Sequence, residues 1–127
     1  MNNDDINKKL KELTIEDFIW VIYIGIIFLS WYSNSLERNY YITKNNNSKE
    51  KYRHVMLVIF TILLIVYIYF LKGSINGIKN LSKNATKKQK DLAYLSFYAS
   101  LLITISGVIF LYISYIDNDL DVEVAFN

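Results

Sequence analysis

A stretch without formal charge, between Arg53 and Lys72, constrains this chain more than any other feature. With His54 neutral, His54–Leu71 gives 18 uncharged residues, of which thirteen are Leu, Ile, Val or Phe. A strand is usually about 3–10 residues long, so this run is too long for one. As a helix it measures roughly 27 Å, close to the hydrocarbon core of about 30 Å. Its apolar side chains contribute roughly −4 to −8 kcal/mol to insertion, so the segment is predicted to cross a membrane.

Two further uncharged runs are as long as the first. They are Phe18–Leu36, with 19 residues, and Leu92–Ile116, with 25. A soluble helix bundle needs polar residues every few positions on its water-facing side, and these runs do not supply them. The fold class is therefore predicted to be an all-α membrane protein. We expect three transmembrane helices in an antiparallel bundle, because short connections make consecutive helices antiparallel neighbours.

The N-terminal residues are predicted to form a short amphipathic helix on the membrane surface. Ile6, Leu10 and Leu13 recur at i, i+4 and i+7 with lysines between them. The whole chain is predicted to be a single membrane domain. Its segments, in order, are an N-tail at 1–14, a first span at 15–36, an outer loop at 37–53, a second span at 54–72, a basic cytoplasmic loop at 73–87, a third span at 88–116 and an acidic C-tail at 117–127.

Two short motifs indicate where helices begin. Thr14 is followed three residues later by Asp17, just before the first apolar run, and Thr86 stands in the same relation to Gln89 before the third. A Thr side chain can accept from the backbone N–H three residues on, while the acidic or amide side chain reaches back. The first and third spans are therefore predicted to begin with capped turns.

The distribution of Lys and Arg predicts the orientation. The N-tail has three and the second loop six, giving nine on one side, whereas the first loop has five and the C-tail none. Cytoplasmic segments carry the excess of positive charge. We therefore expect a multi-pass protein of the cell membrane, with its N-terminus in the cytoplasm and its C-terminus outside.

Small residues of the third span cluster on one helical face. At about 100° per residue, six of its eight small residues fall within an arc of roughly 80°, away from the tyrosines of the same span. Small side chains let helix backbones approach closely in lipid, and their hydroxyls can bridge helices. The cluster is predicted to be a helix-packing face, either within the chain or against a partner, and consists of Ala93, Ser96, Ser100, Thr104, Gly107 and Ser114.

A polar stripe at the far end of the first span is the other candidate site. Ser30, Ser33, Asn34 and Glu37 lie at i, i+3, i+4 and i+7. An ionisable group near a membrane suggests function. Glu37 is adjacent to a basic residue at the water boundary, however, and solvation of the helix end explains the stripe better.

The sequence shows no catalytic constellation, so we expect neither an enzyme nor a cofactor. His54 is the only histidine, which excludes a metal site with several histidines in one chain. Acidic residues at 117, 119 and 121 match the start of a calcium loop, but Val122 occupies the position that needs Gly. Period-two alternation of Leu120, Val122, Val124 and Phe126 could instead add a strand to the sheet edge of a partner.

The lipid bilayer is the first predicted partner. The lysines of the second loop could attract anionic lipid headgroups. Nucleic acid is not expected as a partner, because no aromatic residues or arginines are interleaved with these lysines. They are Lys72, Lys79, Lys83, Lys87, Lys88 and Lys90.

The motifs "TIEDFIWVIYI", "SNSLERNYY" and "VEVAFN" resemble those of small three-span membrane proteins of low-G+C bacteria. The resemblance implies the three-span fold and the bacterial plasma membrane. Such proteins have no assigned activity, so it implies no site residues.

Two functions fit these observations. The first is an accessory or regulatory membrane protein that acts through helix–helix contacts, as a homo-oligomer or within a larger membrane complex. The alternative is a holin-like pore-forming protein or a bacteriocin-immunity protein, which small size and three short spans also suit. An acidic C-tail, where a basic one is expected, argues against the holin.

Overall fold

The computed structural model describes residues 2–121, which form three α-helices. These are α1 (Asn3–Thr43), α2 (Asn46–Lys79) and α3 (Lys87–Ile116). All three are long and apolar enough to cross a membrane. Within residues 2–121 there is no strand. The prediction of an all-helical chain with three membrane-length helices is therefore confirmed.

Helix α1 is continuous from the N-terminal region through the first span. Its N-cap is Asn2, whose side chain accepts from the backbone N–H of Asp5 at 2.8 Å. Thr14 is no cap: its hydroxyl donates to the carbonyl of Leu10 at 3.0 Å, inside the helix. The predicted break before residue 15, with a separate surface helix, is therefore wrong. Lys, Leu and Glu around Thr14 favour helix, and no Gly or Pro interrupts them.

The connections are much shorter than the predicted loops at 37–53 and 73–87. Only Lys44 and Asn45 separate α1 from α2, and residues 80–86 separate α2 from α3. Lys44 adopts the left-handed conformation (φ 57°, ψ 30°), and the Asn45 side chain accepts from the N–H of Asn47 at 2.9 Å. Charged residues mark where the chain leaves lipid, but a helix can continue into water. The helices therefore extend well beyond the uncharged runs.

The predicted capping box at the start of α3 is confirmed. The Thr86 hydroxyl accepts from the Gln89 N–H at 3.1 Å, and the Gln89 side chain accepts from the Thr86 N–H at 2.9 Å. Two backbone donors that the helix cannot satisfy are thereby bonded. The start of α3 is thus fixed several residues before the uncharged run that begins at Leu92.

Helix α2 lies between the other two and supplies most of the core. It packs against both α1 and α3, whereas no Cα of α1 lies within 8 Å of a Cα of α3 among the described residues. Phe60 is 1% exposed and stacks on Phe110 of α3, with ring centroids 5.6 Å apart. Buried residues recur seven apart on α1 and on α3, a spacing typical of left-handed helix packing. They are Ile19, Ile26 and Ser33 on α1, and Gly107 and Ser114 on α3.

The two ends of the molecule differ. We call "hairpin end" the one formed by the end of α1, the start of α2 and the end of α3, and "cleft end" the opposite one. Near the hairpin end Arg53 contacts Tyr115, and at mid-height Thr104 contacts Tyr67. Because α2 and α3 run in opposite directions, a residue four positions after Tyr67 lies at the same height as one four positions before Thr104. Leu71 is therefore at the height of about residue 100. The uncharged residues 92–99 of α3 therefore extend roughly 12 Å past the end of the uncharged run of α2.

Candidate functional site

The hairpin-end half of the predicted small-residue face packs against α2. A Cβ at Gly107 would lie 3.0 Å from the Tyr67 ring, closer than an ordinary van der Waals contact, so a side chain there would displace the ring. Ser114 is buried. The Thr104 hydroxyl donates to the carbonyl of Ser100 at 2.8 Å and also lies 3.4 Å from the carbonyl of Tyr67. In this half, small side chains allow α3 to approach α2 closely.

The other half of that face does not meet α2 in the same way. Ala93, Ser96 and Ser100 line a cleft at the cleft end. Ala93 and Ser100 are half-buried and Ser96 is exposed. The six residues predicted as one packing face are thus divided between a helix contact and a cleft wall.

The predicted polar stripe of the first span is also divided. Ser33 is fully buried, and its hydroxyl donates to the carbonyl of Ser30 at 2.7 Å. Glu37 is half-buried and hydrogen-bonded to Tyr52 of α2, whereas Asn34 is exposed. The stripe therefore contributes to the contact between α1 and α2.

Tyr52 connects the start of α2 to α1, just before the uncharged run. Burial is the main cause that raises the pKa of the Tyr52 hydroxyl, and the adjacent Glu37 carboxylate raises it further. The hydroxyl therefore stays protonated and donates to Glu37. A second bond between these helices is close by, where the side-chain amide of Asn39 donates to the Ser48 hydroxyl at 2.6 Å.

Arg53 and Lys49 connect α2 to the end of α3. The Arg53 Nη2 donates to the carbonyl of Tyr115 at 3.2 Å, and its Nη1 lies 3.6 Å from the Glu50 carboxylate. Lys49 Nζ lies 3.2 Å from Asp119 Oδ1. Polar bonds between helices thus concentrate at the hairpin end. A cation also suits the exposed carbonyls at a helix C-terminus.

The cleft end contains a cleft of about 840 Å³, because α1 and α3 do not meet there. Its deep part is aromatic, with Tyr23 and Tyr67, and its middle is lined by Gly73 and Gly77 of α2. A Cβ added at either glycine would have nothing within 4 Å. Part of the cleft wall therefore consists of bare backbone on α2 and small side chains on α3.

The rim of the cleft carries both signs of charge. Lys8, Glu12 and Glu16 of α1 line it together with Lys72 of α2. No ion pair joins these groups within residues 2–121. Glu12 and Glu16 are half-buried, one helical turn apart. An occupant of the cleft would thus meet apolar walls in depth and charges at the rim.

Sequence reasoning missed the cleft, although one signal was present. Gly73 and Gly77 have the four-residue spacing that favours close helix approach in membranes. The spacing was not interpreted as a helix contact, because both glycines follow the uncharged run and residues 73–87 were predicted to be a loop. No sequence signal shows that α1 and α3 stay apart.

The described part of the chain contains no group of three or more His, Cys, Asp or Glu side chains placed to hold a metal ion. Neither a protein-family model, nor a curated protein, nor a solved structure matches this chain. The three apolar helices are compatible with a small membrane protein, and the cleft, at about 840 Å³, is a candidate site large enough for a partner.

Proposed function

We propose that this protein is a non-catalytic accessory subunit of the bacterial plasma membrane, and that a transmembrane helix of a larger membrane complex docks in its cleft. The observation that carries the proposal is the cleft itself, where Gly73 and Gly77 face open space beside the small residues of α3. In lipid, helices associate through close backbone approach and interhelical hydrogen bonds. The first of these is offered at the two glycines, where an added Cβ would meet nothing within 4 Å.

The occupant is specified by the walls of the cleft. Beside Tyr23 and Tyr67 its surface is apolar, and beside the glycines it approaches closely enough to displace lipid. At the rim it carries charges of both signs, which complement Lys8 and Lys72 on one hand and Glu12 and Glu16 on the other. A helix that leaves the membrane at this level meets all three requirements.

The membrane arrangement belongs to the same proposal. The three helices cross as antiparallel neighbours, with the N-terminus and the residue 80–86 connection in the cytoplasm. The nine Lys and Arg on that side support this orientation. The cleft then opens at the cytoplasmic face, and the lysines beside it also attract anionic lipid headgroups.

A pair of leucines in the cleft tests the proposal. We expect Gly73→Leu with Gly77→Leu to fill the cleft and abolish co-purification of partner proteins from membranes in mild detergent. Gly25→Leu is the matched control, because a Cβ at Gly25 also meets nothing within 4 Å but Gly25 does not line the cleft. Unchanged association of the double variant, or a strictly monomeric wild-type protein, contradicts the proposal.

A further inference from the structure

We propose that one water molecule binds in a cavity between α2 and α3 at the hairpin end, bridging Arg53, Ser114 and Asp117. This cavity is separate from the cleft. Its volume is about 20 Å³, and the three residues line it together with Met56 and Leu120. A cavity needs about 10–15 Å³ to hold a water, so there is room for one molecule and no more.

Two buried polar atoms at this cavity have no hydrogen-bond partner in the described part of the chain. They are the Arg53 Nε and the Ser114 Oγ. Ser114 is only 8% exposed. Leaving a buried donor or acceptor unsatisfied is costly, and more so when the group is charged. Two such groups lining one cavity indicate a shared ligand.

The chemistry of the three side chains selects water. The Arg53 Nε–H can only donate, so the ligand must accept a hydrogen bond. An ionised Asp117 carboxylate can only accept, so a ligand that bonds it must donate. Chloride cannot donate and ammonium cannot accept. The guanidinium and carboxylate charges also offset each other, which favours a neutral molecule.

The segment after α3 covers this cavity. The backbone N–H of Asp121 donates to Asp117 Oδ1 at 3.0 Å, which turns the chain back over the end of α3. Leu120 packs against the core in the left-handed conformation, with φ at 56°, which is unfavourable for leucine. The bridging water adds a bond between α2 and α3 beneath this cover.

A valine at position 114 tests the inference. Ser114→Val removes the hydroxyl and displaces the water, so we expect the melting temperature in detergent to fall by several degrees. Ser106→Val is the matched control on the exposed side of α3 and should not lower it. A melting temperature unchanged or raised by Ser114→Val means the cavity is dry and overturns the inference.

A second background separates water loss from overpacking. In Arg53→Met the stranded Nε donor is absent, so we expect Ser114→Val to cost far less there than in the wild type. An equal cost in both backgrounds means that the valine is merely too large, which overturns the inference. If Ser114→Val does not fold, the test is made on the structure of the wild-type protein. A high-resolution map should show a water within hydrogen-bonding distance of Arg53 Nε and Ser114 Oγ, and an empty cavity contradicts the site.

Discussion

Gly107 shows how one residue sets the distance between two helices. Its missing side chain lets α3 approach until the Tyr67 ring would lie 3.0 Å from an added Cβ. Gly25, Gly73 and Gly77 have no such neighbour within 4 Å. Among the four glycines, only Gly107 is closely approached by another helix.

We expect Gly107→Leu to insert into the membrane normally but to destabilise the folded protein by about 1–3 kcal/mol, because the added atoms meet Tyr67 and Leu64. Unfolding in mixed detergent measures the change. Tyr112→Leu is the control, since Tyr112 is 61% exposed on the other side of α3. Equal losses from the two substitutions would show that close packing at Gly107 does not matter.

Among the helices, α3 begins at a capping box and has an uncharged run longer than those of α1 and α2. Its first backbone donors are bonded by Thr86 and Gln89. Because this turn lies outside the uncharged run, the side-chain bonds stabilise it in water. Loss of the cap should therefore loosen the start of α3 and leave the membrane part intact.

We expect Thr86→Ala to cost about 1 kcal/mol of helix stability, as caps typically do. Hydrogen exchange should quicken at the amides near Gln89 and stay unchanged near Gly107. Thr61→Ala is the comparison, because Thr61 is exposed within α2 and its hydroxyl donates to the carbonyl of Leu57 in the same helix. If the amides near Gln89 exchanged as slowly in Thr86→Ala as in the wild type, the cap would have no role in stabilising the start of α3.

The sequence predicts helices better than it predicts their ends and contacts. The three uncharged runs were enough to predict three helices, and the Thr86 motif was enough to predict where α3 begins. The Thr14 motif misled because a capping pattern inside good helix-forming sequence is not used. The connection at Lys44 was missed because a charge boundary is not a helix boundary. The cleft could not be predicted, since it depends on how α1 and α3 each cross α2.

The whole molecule has polar bonds between helices at the hairpin end and a cleft at the other. Under the proposed orientation, the hairpin end faces outward and the cleft faces the cytoplasm. The chain has no Cys, so single cysteines can report this directly. Asn118 and Asn84 are both exposed, at opposite ends.

We expect a Cys in place of Asn118 to react with a membrane-impermeant maleimide in intact cells, because the proposed orientation places this residue outside. A Cys in place of Asn84 should react only after the membrane is permeabilised. Labelling in permeabilised cells controls for the reactivity of both variants. The opposite pattern in intact cells would reverse the orientation.

The extra uncharged residues of α3 have a consequence for the surrounding bilayer. The uncharged runs of α1 and α2 match a hydrocarbon thickness of roughly 27–28 Å, whereas that of α3 matches roughly 37 Å. The stacking of Phe60 on Phe110 and the close approach of Gly107 to Tyr67 relate α3 to α2 at mid-height. Sliding α3 along α2 to hide the difference would break both contacts. In a bilayer with a hydrocarbon core of about 30 Å, α3 must tilt or the lipids beside it must stretch. We therefore expect the protein to favour places where membrane thickness changes, such as the edge of a larger complex.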